Sequence, residues 1–395
     1  FAGLDTADFE GFTSVQLRAL STKDIAALTS SQTAALSDAQ LAALTSDQVR
    51  ALSTTDLAAI STNALAGLTS NQLNNLSSTQ LGALLTNQLQ ALSADQLAAL
   101  TTTQIGKLGT ATLNALTADQ FAGLSTTQIG ALTSAQVSNL ETADVAALTA
   151  AQVGAISSAD IAALGSANLA QLSAEQFAAL TTSQVQAINT AVISALSSTT
   201  FGSLTTLQLS ALSTKQLAAL TSSQFGAMTG EQLASFTTAQ VRAFSTADIA
   251  AISVNSLAGM TAPQVAALLS SQLAALTSDQ LQGLSNTQLQ SLGSSQLAQL
   301  STDDLNTLTA DQFGNLLTSQ IAALTSNQIG NLQTDDFGAL TSAQLRQLAT
   351  ADVAALSTTL AHALTDTQLA ALTTAQVRAL STDDLRSMST TTLTG

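Results

Sequence analysis

The residues in this chain that could do chemistry are few and scattered. His362 is the one histidine among 395 residues, and there is no cysteine to act as a thiolate, a zinc ligand or half of a disulfide. A lone histidine on an exposed helix position is read as a solvent-facing side chain. Serine is abundant, but a serine hydroxyl is a weak nucleophile without an adjacent base to activate it. No glycine-rich phosphate loop is present. Three carboxylate pairs, Asp303-Asp304, Asp335-Asp336 and Asp383-Asp384, could lend oxygens to calcium, which takes about six to eight. No EF-hand or glycine-aspartate nonapeptide surrounds them. In each pair the second Asp falls where a helix-capping side chain is expected and the first faces outward. The sequence therefore predicts no catalytic, cofactor-binding or metal-ligating residue, no cofactor, and no enzyme.

What these residues sit on is a repeat of eight that never slips. An apolar column begins at Leu4 and steps through Phe12, Leu20, Leu28 and Leu36 to Met388; all 49 of its positions hold Leu, Ile, Met or Phe. A second column runs from Phe1 through Phe9, Leu17, Ile25, Leu41 and Val49 to Leu393, and among 50 positions only Thr33 and Ala361 break it. Ser or Thr follows the first column at 38 of 49 positions, so hydroxyl caps are the rule and not an accident of composition. Three residues later stands Gln or Asp, as in Asp24, Gln32, Gln40 and Gln48.

Ser/Thr with Gln three residues on is a capping box, in which each side chain satisfies a free backbone N–H at the start of a helix. The apolar residue just before the cap and the one four after it form a hydrophobic staple. Each octad thus predicts a helix of about a turn and a half to two turns, bent at the next Ser/Thr. At about 100° per residue the two apolar columns share one side, the Gln lies on their flank, and three variable positions face out. Six of the nine basic residues, Arg18, Arg50, Arg242, Arg346, Arg378 and Arg386, occupy one of these outer positions.

The fold class expected is all-α: one continuous solenoid of very short capped helices over residues 1–395. Two aliphatic side chains per octad cannot offset the ordering of eight residues, so octads must stack. A single long helix is excluded, because a period of eight matches neither the 3.5 nor the 3.67 residues per turn of coiled coils. A β-solenoid is the alternative, disfavoured by the Ala and Gln content and by columns that would fall on opposite strand faces.

The irregularities are minor. Pro263 falls two residues past the cap Thr261, where the first turn of a helix accepts proline. Gly67, Gly82, Gly106, Gly130 and Gly226 are read as close packing between turns, with contact to another chain as the alternative. Leu85, Leu269 and Leu317 replace the cap and read as drift, or else as apolar knobs for a partner. Gly109, Gly165 and Gly293 serve as weak caps. Asp56, Asp160, Asp248 and Asp352 are each followed one octad later by a residue other than Gln, with 104 residues from Asp56 to Asp160 and from Asp248 to Asp352.

The stretch Ala131-Leu132-Thr133-Ser134-Ala135-Gln136-Val137 resembles the octapeptide arrays of large bacterial exoproteins, often labelled as adhesion or haem-utilisation proteins. The resemblance runs along the whole chain. It implies an extracellular or cell-surface location and a part in surface layers, fibres or attachment. It supplies no haem site: His362, three scattered Met and no Tyr or Cys make a poor set of axial ligands. A chain that begins at Phe1 is expected to be processed or a segment of a longer array.

Composition narrows the partners. Charged residues are 9%, against about 25% in ordinary soluble proteins, and the net charge is −16. Nine scattered basic residues make no basic patch, so nucleic acid is not expected. No apolar run is long enough to enter a membrane as a helix. The expected partners are further copies of the chain, as a homo-oligomer or polymer, with a cell surface or glycan as the other possibility.

Overall fold

The computed structural model describes residues 5–388; Leu4 and Leu393, the ends of the two apolar columns, lie outside the described residues. Among those residues there is one helix in every octad, 48 in all, and no strand. The alternative β-solenoid is therefore set aside, and the architecture is an all-α solenoid. The residues form two compact units, one up to Leu196 and one from Ser197 onward, each built in the same way.

The octad Thr45–Leu52 shows why. Thr45 is extended (φ −71°, ψ 159°), and its Oγ1 accepts from the Gln48 N–H at 3.2 Å. The Thr45 N–H donates to Gln48 Oε1 at 2.7 Å, completing the reciprocal box. The helix runs Ser46–Ala51 and stops at Leu52, which turns extended again (φ −61°, ψ 139°) while its N–H still bonds the Val49 carbonyl at 3.2 Å. Val49 and Leu52 are both fully buried, one from each apolar column.

Helices are four to six residues long, about one to one and two-thirds turns, and so shorter than the sequence pattern suggests. Both the closing Leu and the next cap leave the helical region, which removes two residues from every eight.

Within each unit a helix packs on those three octads before and after it, as Ser30–Ala34 does on Thr54–Ala59 and Ser222–Gly226 on Thr246–Ala251. The two apolar columns face inward and form the core. Where larger rings enter, they pack edge to face, as Phe236 does on Phe244 with centroids 5.3 Å apart. The two breaks in the second column stay inside: Thr33 and Ala361 are fully buried, and Thr33 Oγ1 donates to the Ser30 carbonyl at 3.0 Å.

Pro263 sits in the first turn of the Ala262–Ala266 helix, as its offset from Thr261 requires. Gly109 and Gly293 stand at N-cap positions, but Gly165 does not. There Leu164 stays helical (φ −57°, ψ −26°) and the chain passes into the Gly165–Leu169 helix without an extended junction. Gly165 absorbs the bend at φ +75°, a conformation that glycine adopts without a Cβ penalty.

Candidate functional site

The organising feature of the molecule is a ladder made by the capping glutamines. The sequence pattern places them on the flank; the structure buries them. Gln72 is 2% exposed, and its Nε2 donates to the carbonyls of Leu41 at 2.9 Å and Leu44 at 2.7 Å, in the turn below. In the other unit Gln272 does the same to Val241 (2.9 Å) and Phe244 (2.8 Å).

One side chain thus performs two tasks. Its oxygen caps the N-terminus of its own helix, and its nitrogen satisfies the C-terminal carbonyls of the helix four octads earlier. The Leu44 and Phe244 carbonyls would otherwise be buried without a donor, whereas those of Leu41 and Val241 also accept a backbone N–H of their own turn. The donor–acceptor separations of 28 to 31 residues also set the rise of the array: one turn takes between three and four octads.

A second row of contacts runs the other way. The outer position that carries the arginines reaches a carbonyl 25 residues later. Arg242 Nε donates to Ala267 O at 3.2 Å, Arg346 Nε to Ala371 O at 2.9 Å, and Gln290 Nε2 to Asn315 O at 2.6 Å. Where glycine stands there, backbones close up instead: a Cβ on Gly106, Gly130 or Gly226 would lie 3.0–3.2 Å from the carbonyl oxygens of Ala131, Ala155 and Ala251. Gly67 is tighter, its Cβ falling 2.1 Å from the Asp38 oxygen. These glycines pack turn on turn; Gly82 has nothing within 4 Å.

The acidic residues divide into three kinds. Asp304 and Asp384 complete capping boxes with Ser301 and Ser381, and Asp303 and Asp383 face solvent. Asp24 also caps, and the hydroxyl and then the backbone N–H of Ser21 hold its carboxyl below the usual range. Asp336 departs from expectation. Its cap position is Gln333, whose N–H turns to Asn306 Oδ1 at 3.2 Å, so no box forms and one Asp336 oxygen is buried without a partner. Asp144, beside the cap residue Glu141, is in the same condition. Desolvation, helped by Asp335 and Glu141, raises both carboxyls to about 6. The sequence pattern assigns Asp336 to a capping box and does not single out Asp144, although a non-hydroxyl cap followed by Asp marks both.

Cap loss at Leu85, Leu269 and Leu317 leaves 51%, 41% and 44% of these side chains exposed. The matching Gln still caps the backbone, as Gln272 Oε1 does for the Leu269 N–H at 2.8 Å. His362 closes the Thr358–His362 helix on the exposed side. Among the described residues no three His, Cys, Asp or Glu gather as a metal-ligand group, and no helix is long and apolar enough to cross a membrane. Two hollows of about 370 Å³ are open surface grooves, one of them lined by Ala7, Asp8, Gly11, Phe12 and Gln16.

Comparison with known proteins agrees with the repeat. No curated protein matches the chain. The family model of the ALTTAQ repeat matches residues 1–38, 51–86, 80–110, 105–134, 137–174, 153–190, 204–238, 241–278, 329–366 and 348–382, well over half of the length. Its name is spelled out here as Ala371-Leu372-Thr373-Thr374-Ala375-Gln376, the segment that carries one closing leucine, one cap and one rung of the ladder. By the extent of that match and the uniform register beneath it, the chain belongs to the ALTTAQ repeat family.

Proposed function

We propose that this chain is an extracellular structural element, not an enzyme, which associates with further copies of itself into a filament, sheath or surface layer. The observation that supports this reading most is the division of labour between inside and outside. Caps and ladder consume the backbone polar groups internally, so the outer positions are free to form a repetitive small-polar surface. Outer residues of neighbouring turns meet in rows: Asn71 Nδ2 donates to Ser46 Oγ at 3.0 Å, and Asn286 Nδ2 to Asp311 Oδ2 at 3.3 Å. A surface that repeats itself every turn is suited to regular lateral association with an identical surface. The charge of −16 opposes that association at low salt.

The other reading is an adhesin stalk or binding module that presents the Ser/Thr rows to a glycan, a cell surface or a protein. The exposed Val15 (79%) and Leu207 (72%) favour protein contact over glycan. Electron microscopy of the untagged chain at low and at physiological salt separates the two. Ordered filaments or sheets that increase with salt are expected. Monodisperse particles at every salt concentration would overturn self-association and favour the stalk or binding module.

A further inference from the structure

Among the octads that lack both the hydroxyl cap and the glutamine, two leave a buried carboxyl oxygen unpaired. Asp144 in one unit and Asp336 in the other stand where Gln belongs, and the cap positions before them hold Glu141 and Gln333 in place of Ser or Thr. Each Asp is 4% exposed, and one carboxyl oxygen of each is buried with no hydrogen-bond partner. Other aspartates in this slot are provided for. Asp56 accepts from the Ser53 N–H at 3.2 Å and from Ser30 Oγ, 26 residues earlier, at 3.0 Å. Asp352 accepts from the Ala349 N–H at 2.8 Å and from Ser326 Oγ at 2.7 Å. At the position of Ser30 and Ser326, Asp144 and Asp336 have Ala118 and Ala310.

The two exceptions also share their surroundings. They are 192 residues apart, twenty-four octads, and Asn114 with Asn139 around the first recurs as Asn306 with Asn331 around the second. Asn114 Nδ2 donates to Asn139 O at 2.8 Å, and Asn306 Nδ2 to Asn331 O at 2.9 Å. The same arrangement therefore occurs once in each unit.

What such a carboxyl can do follows from the one asparagine in the slot. Asn168 Nδ2 reaches the Leu140 carbonyl, 28 residues earlier, at 3.0 Å. Even the shorter Ser256 reaches the equivalent Met228 carbonyl, at 2.7 Å. A protonated aspartate has the length of asparagine and one donor; an ionised one has none. The carbonyls in register with Asp144 and Asp336 belong to Leu116 and Leu308.

We propose that Asp144 and Asp336 are proton-operated locks between successive turns. Protonated, each donates its O–H to the carbonyl of Leu116 or Leu308, as Asn168 does to Leu140. Ionised, each sets a buried negative oxygen against that carbonyl and loosens the contact.

The charged groups nearby favour the proton. Glu141 shares the octad of Asp144; the Ala118–Gly123 helix packed on it carries Asp119, and the Gly165–Leu169 helix carries none. Around Asp336 stand Asp335, Asp311 on Ala310–Asn315 and His362 on Thr358–His362. No lysine or arginine is on these segments to hold either carboxylate ionised. Burial raises both groups to about 6 from an ordinary value of 3.8. A folded-state value above the unfolded one means that the stabilisation is complete below the ordinary carboxylate range and is lost as pH rises through about 6. This inference concerns the chain's own turns and does not depend on self-association.

The test is thermal unfolding of the full chain and of the double variant Asp144→Asn/Asp336→Asn between pH 4 and 8, at a salt concentration where both are monodisperse. The variant is expected to melt about 2–5 °C above the parent at pH 7.5 and to converge with it near pH 4. A variant no more stable at pH 7.5, or a difference independent of pH, would overturn the proposal. Should the variant not fold, carboxyl carbon NMR titration of the parent decides: two aspartates titrating near pH 6 are expected, and none above about pH 5 overturns it.

Discussion

Gln272 allows the ladder to be tested with a single atom changed. Its cap residue is Leu269, which brings no hydroxyl, so every polar contact at this rung belongs to the Gln side chain. Oε1 accepts from the Leu269 N–H at 2.8 Å, and Nε2 donates to Val241 O and Phe244 O at 2.9 and 2.8 Å. Gln272→Glu keeps the shape and the cap but removes both donated bonds, and it places a buried carboxylate beside two carbonyl oxygens. Leaving a buried acceptor unpaired costs about 1–3 kcal/mol. Phe244 O is the main loss, because Val241 O also accepts from the Phe244 N–H at 3.2 Å. The expected destabilisation is therefore about 2–5 kcal/mol at pH 7.5. Part of it should return as the pH falls and the new carboxyl gains a proton to donate.

The assay is guanidinium unfolding with hydrogen exchange read by mass spectrometry. Because each octad touches only neighbouring turns, faster exchange should centre on the Thr238–Val241 and Ser270–Leu273 helices and fade within a turn or two on either side. A loss below about 1 kcal/mol, or exchange that rises evenly along the chain, would refute the claim that these glutamines join one turn to the next.

Other perturbations follow from the same geometry. Gly259→Ala should destabilise by about 1–3 kcal/mol in denaturant unfolding, because the new Cβ would lie 2.4 Å from the Gly230 Cα of the adjacent turn; Gly82→Ala, with nothing within 4 Å, should not destabilise. Replacing Leu85, Leu269 and Leu317 together with Ser should restore three hydroxyl caps and raise stability by about 1 kcal/mol at each site, read by thermal melting. Asp56→Asn should lower stability at neutral pH, since Asp56 accepts from Ser53 and Ser30. That is the opposite sign to Asp144→Asn, for which about 1–2 kcal/mol of gain is expected after allowance for solvent screening of a carboxyl raised to about 6.

The local half of this structure was written in short-range spacing. A hydroxyl three residues before Gln names the start of each helix, and Pro263 falls where a first turn tolerates it. The two apolar columns identify the core almost residue for residue, including Thr33 and Ala361, which stay buried because their neighbours fix the register.

The long-range half was not legible for a physical reason. The capping role of Gln72 lies within three residues, but its second bond reaches Leu44, 28 residues away, and no local rule relates those positions. The size of a turn and the burial of the glutamines were hidden together, since one geometry determines both. Gly165 was misread because a glycine can serve either as a weak cap or as a left-handed bend, and the helical Leu164 before it decides for the bend. Asp336 was misread because the box depends on its partner: Gln333 gives its N–H to Asn306, a residue in the turn below.

The central claim is that register, counted in eights, is what one turn reads in the next. The most direct measurement compares two deletions in the full chain by circular dichroism and cooperative melting: the whole octad 269–276, and the half-octad 269–272. Removing eight residues brings the next cap and rung into the vacated register, so helicity per residue and cooperativity should be kept. Removing four sets apolar columns against outer positions and should unfold the turns on both sides of the cut. Equal tolerance of the two deletions would contradict the account.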